Sequence, residues 1–133
     1  LSFEARVNVS GDDNGADFGI RFTNDKTHVD LYVTNDGDVK GRVVRSDGDT
    51  SEFAGLGKIE DVAAKHDLSL VVQRTAESQY SVWAMIDNVV KFSATVACDP
   101  TQTLSTVGLF ANSYDRRNYK TRVLFSNAKV TYK

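Results

Sequence analysis

One cysteine, one proline, one tryptophan and one methionine occur in 133 residues, and of these scarcities that of cysteine excludes the most. The lone Cys98 cannot close an internal disulfide or build a multi-cysteine zinc cluster. No basic residue stands beside it to mark a reactive thiol, so it reads as a small apolar filler. The lack of disulfides leaves the compartment open, because a core of this size does not need them. No apolar run approaches the roughly 20 residues that span a bilayer, so no membrane span is expected. Neither sign of charge is in surplus: 16 Lys and Arg are intermixed with 18 Asp and Glu, for a net charge of -2. Without a basic stripe to neutralise phosphates, nucleic acid is not an expected partner. The chain opens Leu1-Ser2-Phe3, with no initiator Met, basic n-region or apolar h-region, and its start reads as a processed or excised boundary.

What is present is alternation. A composition 41% apolar and 26% charged suits a globular domain, and this length suits one core, so residues 1–133 are expected to form a single domain. Phe18, Ile20 and Phe22 alternate with Asp17, Gly19, Arg21 and Thr23; Val29, Leu31 and Val33 alternate with His28, Asp30, Tyr32 and Thr34; Val39 and Val43 stand opposite Lys40 and Arg42. A period of two is that of a strand with one buried face. Asn24-Asp25-Lys26 and Asn35-Asp36-Gly37 are short enough to close antiparallel hairpins. The same period recurs at Leu1–Val9, Leu68–Val72, Tyr80–Ile86, Val90–Val96 and Val107–Ala111, and a last strand is expected around Arg122–Tyr132. Asn8-Val9-Ser10 fits the glycosylation acceptor pattern but falls inside a predicted strand.

About nine strands separated by turns every eight to twelve residues predict an all-β protein, an antiparallel β-sandwich or barrel. Ile59, Val62 and Ala63 have helical spacing, so Lys58–Lys65 is the one helical candidate, of one or two turns.

Several segments follow one another in a familiar order: Asp17-Phe18-Gly19-Ile20-Arg21-Phe22, His28 to Val33, Leu68-Ser69-Leu70-Val71-Val72, Ser81-Val82-Trp83-Ala84-Met85-Ile86-Asp87-Asn88 and Val107-Gly108-Leu109-Phe110-Ala111-Asn112. The series resembles the concanavalin A-like jelly roll, particularly the laminin G-like and carbohydrate-binding accessory modules of secreted glycoside hydrolases. The resemblance implies a jelly-roll β-sandwich, an oligo- or polysaccharide ligand, an extracellular location and other domains on a larger chain. Its motifs are short and apolar, and they specify architecture better than ligand.

Four sets of residues are candidates for chemistry. Catalysis has little support, because retaining glucanases of this fold place acidic residues on alternate strand positions and no Glu-x-Asp-x-x-Glu strand is present. His28 and His66 have no neighbouring Ser or Cys marked as a nucleophile. No cofactor is expected; Asp12-Asp13-Asn14-Gly15, Asn35-Asp36-Gly37-Asp38 and Ser46-Asp47-Gly48-Asp49 leave a structural calcium ion open, with turn chemistry as the simpler reading. The third set is the polar face: Arg21, Asp30, Tyr32 and Arg42 must share one side if their neighbours point inward, and Trp83, Gln73 and Asn112 have matching parity in their own strands. Aromatic rings and hydrogen-bonding groups together suit a sugar. The alternative is a cross-strand charge ladder worth roughly 0.2–1 kcal/mol per pair, with Trp83 in the core. The fourth set is the loop from Asn112 to Tyr119, where Tyr114, Arg116 and Tyr119 fall close together, as at many recognition sites.

The expected function is therefore that of a non-catalytic carbohydrate-binding module. Its rivals are a laminin G-like protein-interaction module, a glycoside hydrolase or polysaccharide lyase whose carboxylates meet only in three dimensions, and a domain that stabilises its neighbour.

Overall fold

The computed structural model describes residues 2–10, 16–24, 26–34, 36–62, 64–97, 101, 105–113 and 122–131, with the backbone alone described at 2–10, 16, 105, 112, 113 and 122–124. Among these residues there is no helix. The strands are β1 (Ser2–Ser10), β2 (Ala16–Asn24), β3 (Thr27–Thr34), β4 (Val39–Val44), β5 (Thr50–Phe53), β6 (His66–Ala76), β7 (Gln79–Ile86), β8 (Val89–Ala97), β9 (Ser105–Ser113) and β10 (Arg122–Thr131). They form two antiparallel five-stranded sheets, ordered β10-β1-β6-β7-β8 and β5-β4-β3-β2-β9. The chain is thus an all-β sandwich, with β2 against β6, β3 against β7 and β4 against β8.

The apolar half of each alternation makes the core. Phe18, Ile20, Phe22, Val29, Leu31, Val33, Val39 and Val43 from one sheet pack against Leu68, Leu70, Val72, Val82, Ala84, Ile86, Phe92 and Val96 from the other. Phe92 stacks on Phe53 with ring centroids 5.0 Å apart, and Tyr80 meets Phe22 edge-on at 5.5 Å, so aromatic contacts also cross between the sheets. Because side chains alternate, this one cluster settles which face of each sheet points outward.

The expected helix does not form among the described residues. The described part of Lys58–Lys65 is a looped strap, with Lys58 in a β-bridge to Asp38 and the Ile59 side chain in the core. Ile59 N–H donates to the Gly37 carbonyl at 2.8 Å, and Val62 also reaches Gly37. The spacing of Ile59 and Val62 reflects two anchors on a loop; with so short a segment the two periods cannot be told apart. Gly37 meets two demands here: its φ is +88°, and a Cβ would lie 2.2 Å from the Ile59 carbonyl oxygen.

The turn between β7 and β8 is held by a histidine. Asp87 and Asn88 have φ of 49° and 64°, as a two-residue hairpin turn requires. Asp87 accepts from Asp67 N–H at 2.9 Å and lies 2.8 Å from His66 Nδ1, while His66 Nε2 is 2.7 Å from the Asp61 carbonyl oxygen. Both ring nitrogens face acceptors, so the imidazolium satisfies both. Burial pushes the His66 pKa down, but the Asp87 and Asp61 contacts outweigh it and the net shift is upward from 6.5. Burial pushes Asp87 up, and the bonds from His66 and Asp67 reverse this to a net lowering from 3.8.

The His66 contribution is complete below its unfolded pKa and is lost as pH rises through the raised folded one; that of Asp87 is complete above its unfolded pKa and is lost on acidification. His28, held low mainly by burial, acts oppositely to His66 and costs stability as pH falls below 6.5. We expect urea unfolding midpoints to fall between pH 6.5 and 9 by the equivalent of about 0.2–1 kcal/mol, the scale of a half-exposed pair. His66→Gln should flatten that limb, and an unchanged limb would show that the bridge carries no stability.

Candidate functional site

The outer face of the β5-β4-β3-β2-β9 sheet, on the side away from the second sheet, gathers four of the sequence candidates. In the register of β2, β3 and β4, Arg21 lies opposite Asp30 and Asp30 opposite Arg42, so three adjacent strands place a carboxylate between two guanidiniums. Arg21 Nε donates to Asp30 Oδ1 at 2.6 Å and its Nη2 to Oδ2 at 2.8 Å; Arg42 donates to the same Oδ2 from Nε at 3.1 Å and Nη2 at 2.8 Å. The Asp30 side chain is 0% exposed, whereas those of Arg21 and Arg42 are 36% and 22% exposed. Burying a carboxylate costs several kcal/mol. Four charge-assisted bonds, at roughly 1.5–3 kcal/mol each, are of the size that offsets it. The cluster is thus more than a surface ladder: its anion lies beneath its cations.

Aromatic rings complete the layer. The Arg42 guanidinium carbon is 5.3 Å from the Tyr32 ring centroid, and that of Arg21 is 5.1 Å from the Phe110 centroid. The two rings are themselves 6.5 Å apart and tilted by 56°. Tyr32 is only 7% exposed, and its hydroxyl pKa is pushed up chiefly by burial and next by Glu52, with Arg42 opposing. His28 Nε2 lies 3.9 Å from Asp30 Oδ2. Its pKa is lowered first by burial and further by Arg21 and Arg42, against the pull of Asp30. Glu52 pairs with Arg42 across β4 and β5.

Charge is therefore matched locally, and each arginine is gripped at both its head and its planar face. A guanidinium carries five N–H donors. Arg21 uses Nε and Nη2 on Asp30 and retains others toward the half-exposed outside.

The remaining candidates divide. Asn112 pairs by backbone register with Asp17, at one end of the same sheet. Trp83 stands on β7 in the other sheet, half-buried, between the core residues Val82 and Ala84. It faces outward on the opposite side of the sandwich from Arg21 and does not belong to the core. Gln73 also lies in that other sheet, on β6. Parity identifies the face of a residue's own sheet and leaves open which sheet that is. Tyr114, Arg116 and Tyr119 lie outside the described residues, as do Cys98 and the Asp12–Gly15 loop.

Among the described residues no group of three or more His, Cys, Asp or Glu side chains is arranged to hold a metal ion. At Ser46–Asp49 the acidic side chain does turn work, with Asp47 Oδ1 accepting from Asp49 N–H at 2.9 Å. Phe110, His28 and Glu52 join this face without having been singled out for it. For Phe110 the signal was available: Val107, Leu109 and Ala111 share one parity, which leaves Phe110 on the other, beside Arg21.

No protein-family model matches this chain, and none of the curated proteins matches it. Among solved structures it is similar to the Ruminococcus gnavus IT-sialidase CBM40 bound to alpha2,3 sialyllactose, with 16% identity and a TM-score of 0.42, over 72% of this chain and 52% of that one. The same module bound to alpha2,6 sialyllactose gives 15% identity and a TM-score of 0.41, over 76% and 56%. A polysaccharide lyase family 18 structure, aly-SJ02 r-CATD, gives 18% identity and a TM-score of 0.44, over 94% and 72%. The chain thus spans about half the length of the CBM40 structures, and these likenesses assign it to no family.

Proposed function

We propose that this domain is a concanavalin A-like jelly roll acting as a non-catalytic carbohydrate-binding module, accessory to a secreted glycan-active enzyme or an adhesin. It binds an oligo- or polysaccharide on the Arg21, Asp30, Tyr32, Arg42 face. The observation that carries this reading is the fixing of two half-exposed arginines by a buried carboxylate and two rings. An arginine loses up to about 2 kcal/mol of side-chain freedom when immobilised. Here that cost falls on folding, and a ligand that gains little per contact, as a sugar does, meets donors already in place. The same geometry counts against a glycosidase at this face, since Asp30 is sealed and saturated with donors and is no proton donor or nucleophile for a glycosidic bond.

The test is calorimetric titration with cellohexaose, laminarihexaose, xylohexaose and mannohexaose. At least one is expected to bind, and Arg21→Gln is expected to weaken that binding tenfold or more. Heat from none of them, or an affinity indifferent to Arg21→Gln, would overturn the assignment to this face.

A further inference from the structure

The other outer face carries a different surface. On β6, β7 and β8, Val71 pairs with Trp83 and Met85 pairs with Val90, so an apolar strip crosses three strands and reaches the sheet edge, where Val90 is 54% exposed. The outward positions around it are Ser69 and Gln73 on β6, Ser81 on β7, and Ser93 and Thr95 on β8, all hydroxyl or amide, with Asp67 on β6 and the register position of Glu4 on β1, opposite Ser69, adding charge at one corner. The charged residue of β8, Lys91, is the extra residue of a bulge between the Ala84–Phe92 and Met85–Val90 pairs. Its ammonium reaches away toward Gly57, where an added Cβ would lie 3.6 Å from Nζ. Edge strands are usually guarded by charge, and an apolar edge left without it is a liability unless it is used.

We propose that this strip is a second glycan platform, on which the C–H face of a neutral oligo- or polysaccharide stacks on Trp83 while the surrounding hydroxyl and amide groups bond its hydroxyls. Size decides between a sugar and a protein partner. Two strand spacings of about 4.8 Å and four residues at about 3.4 Å give roughly 10 by 14 Å, or about 140 Å². A stable protein partner takes about 800 Å² from each side. The strip fits one or two sugar rings, and the polar positions nearest Trp83 in the register are hydroxyls and an amide. With Arg21 and Trp83 on opposite outer faces, one module would hold two polysaccharide chains. This site does not depend on the arginine face.

Trp83 is the only tryptophan of the chain, so its fluorescence reports on this face by itself. Titration of the intact 133-residue protein with the same four hexasaccharides is expected to give a saturable emission shift with at least one, and Arg21→Gln should retain it. In the Arg21→Gln protein, Trp83→Ala should lower the calorimetric affinity that remains for that sugar tenfold or more, and Trp83→Phe, which keeps a ring and guards against misfolding, should lose less. Heat without any emission change would place all binding elsewhere and overturn this proposal while sparing the arginine face. An emission shift abolished by Arg21→Gln, or self-association relieved by Trp83→Ala with no sugar response, would overturn it as well.

Discussion

Replacing Arg21 and Arg42 together by methionine is expected to lower folding stability by about 3–5 kcal/mol, whereas Asp30→Ala lowers it by only about 1–3 kcal/mol. Counting ion pairs does not give this order, since each change breaks the same two Arg–Asp bridges. It follows from burial. Without Asp30, the guanidiniums at 36% and 22% exposure can turn outward and recover water. Without both arginines, a carboxylate with no exposed surface keeps neither counter-charge nor donors, and His28 at 3.9 Å is its nearest cationic substitute. With the arginines gone, burial, the largest influence on His28, still opposes its protonation at pH 7.5. Urea unfolding at that pH, compared at constant m-value, reads the difference. Equal losses, or losses below about 1 kcal/mol in both, would show that the cluster is a surface ladder after all.

The strands were legible because a period of two over several residues has few other readings. Phe18 to Val43 and Leu68 to Val96 supplied the core as their spacing indicated, and the Asp87-Asn88 turn supplied its hairpin. Two kinds of information were not legible. Which strands share a sheet depends on pairings between residues far apart in sequence, so Trp83 and Arg21 looked like companions and prove to be on opposite faces. The depth of a polar residue depends on what its neighbours lay over it. Asp30 and Tyr32 have outward parity, yet both are buried, because Arg21 and Arg42 fold across them from adjacent strands. The strap from Lys58 misled for a further reason, since two apolar anchors three residues apart satisfy a helix and a loop equally well.

The second large effect is expected at a residue with no side chain. Gly19 pairs with Tyr32 on one side and with Phe110 on the other, at the centre of the arginine face. A Cβ there would stand 2.0 Å from the Leu31 carbonyl oxygen and 2.7 Å from the Tyr32 Cα. Both are backbone atoms, so no rotamer change can give way, and β2 and β3 would have to separate or shear. Overpacking usually costs about 1–3 kcal/mol, and a backbone obstruction belongs at or beyond the top of that range. The same vacancy lets the Tyr32 and Phe110 rings, which flank β2 from either side, come within 6.5 Å and each carry an arginine. Gly19→Ala should therefore lower the thermal midpoint sharply and abolish sugar-dependent heat at this face even below that midpoint. Gly108, opposite Arg21, is the control: nothing lies within 4 Å of its added Cβ, and Gly108→Ala should stay within about 0.5 kcal/mol of the parent. If the two substitutions cost the same, β2 and β3 do not approach as closely at Gly19 as this geometry requires.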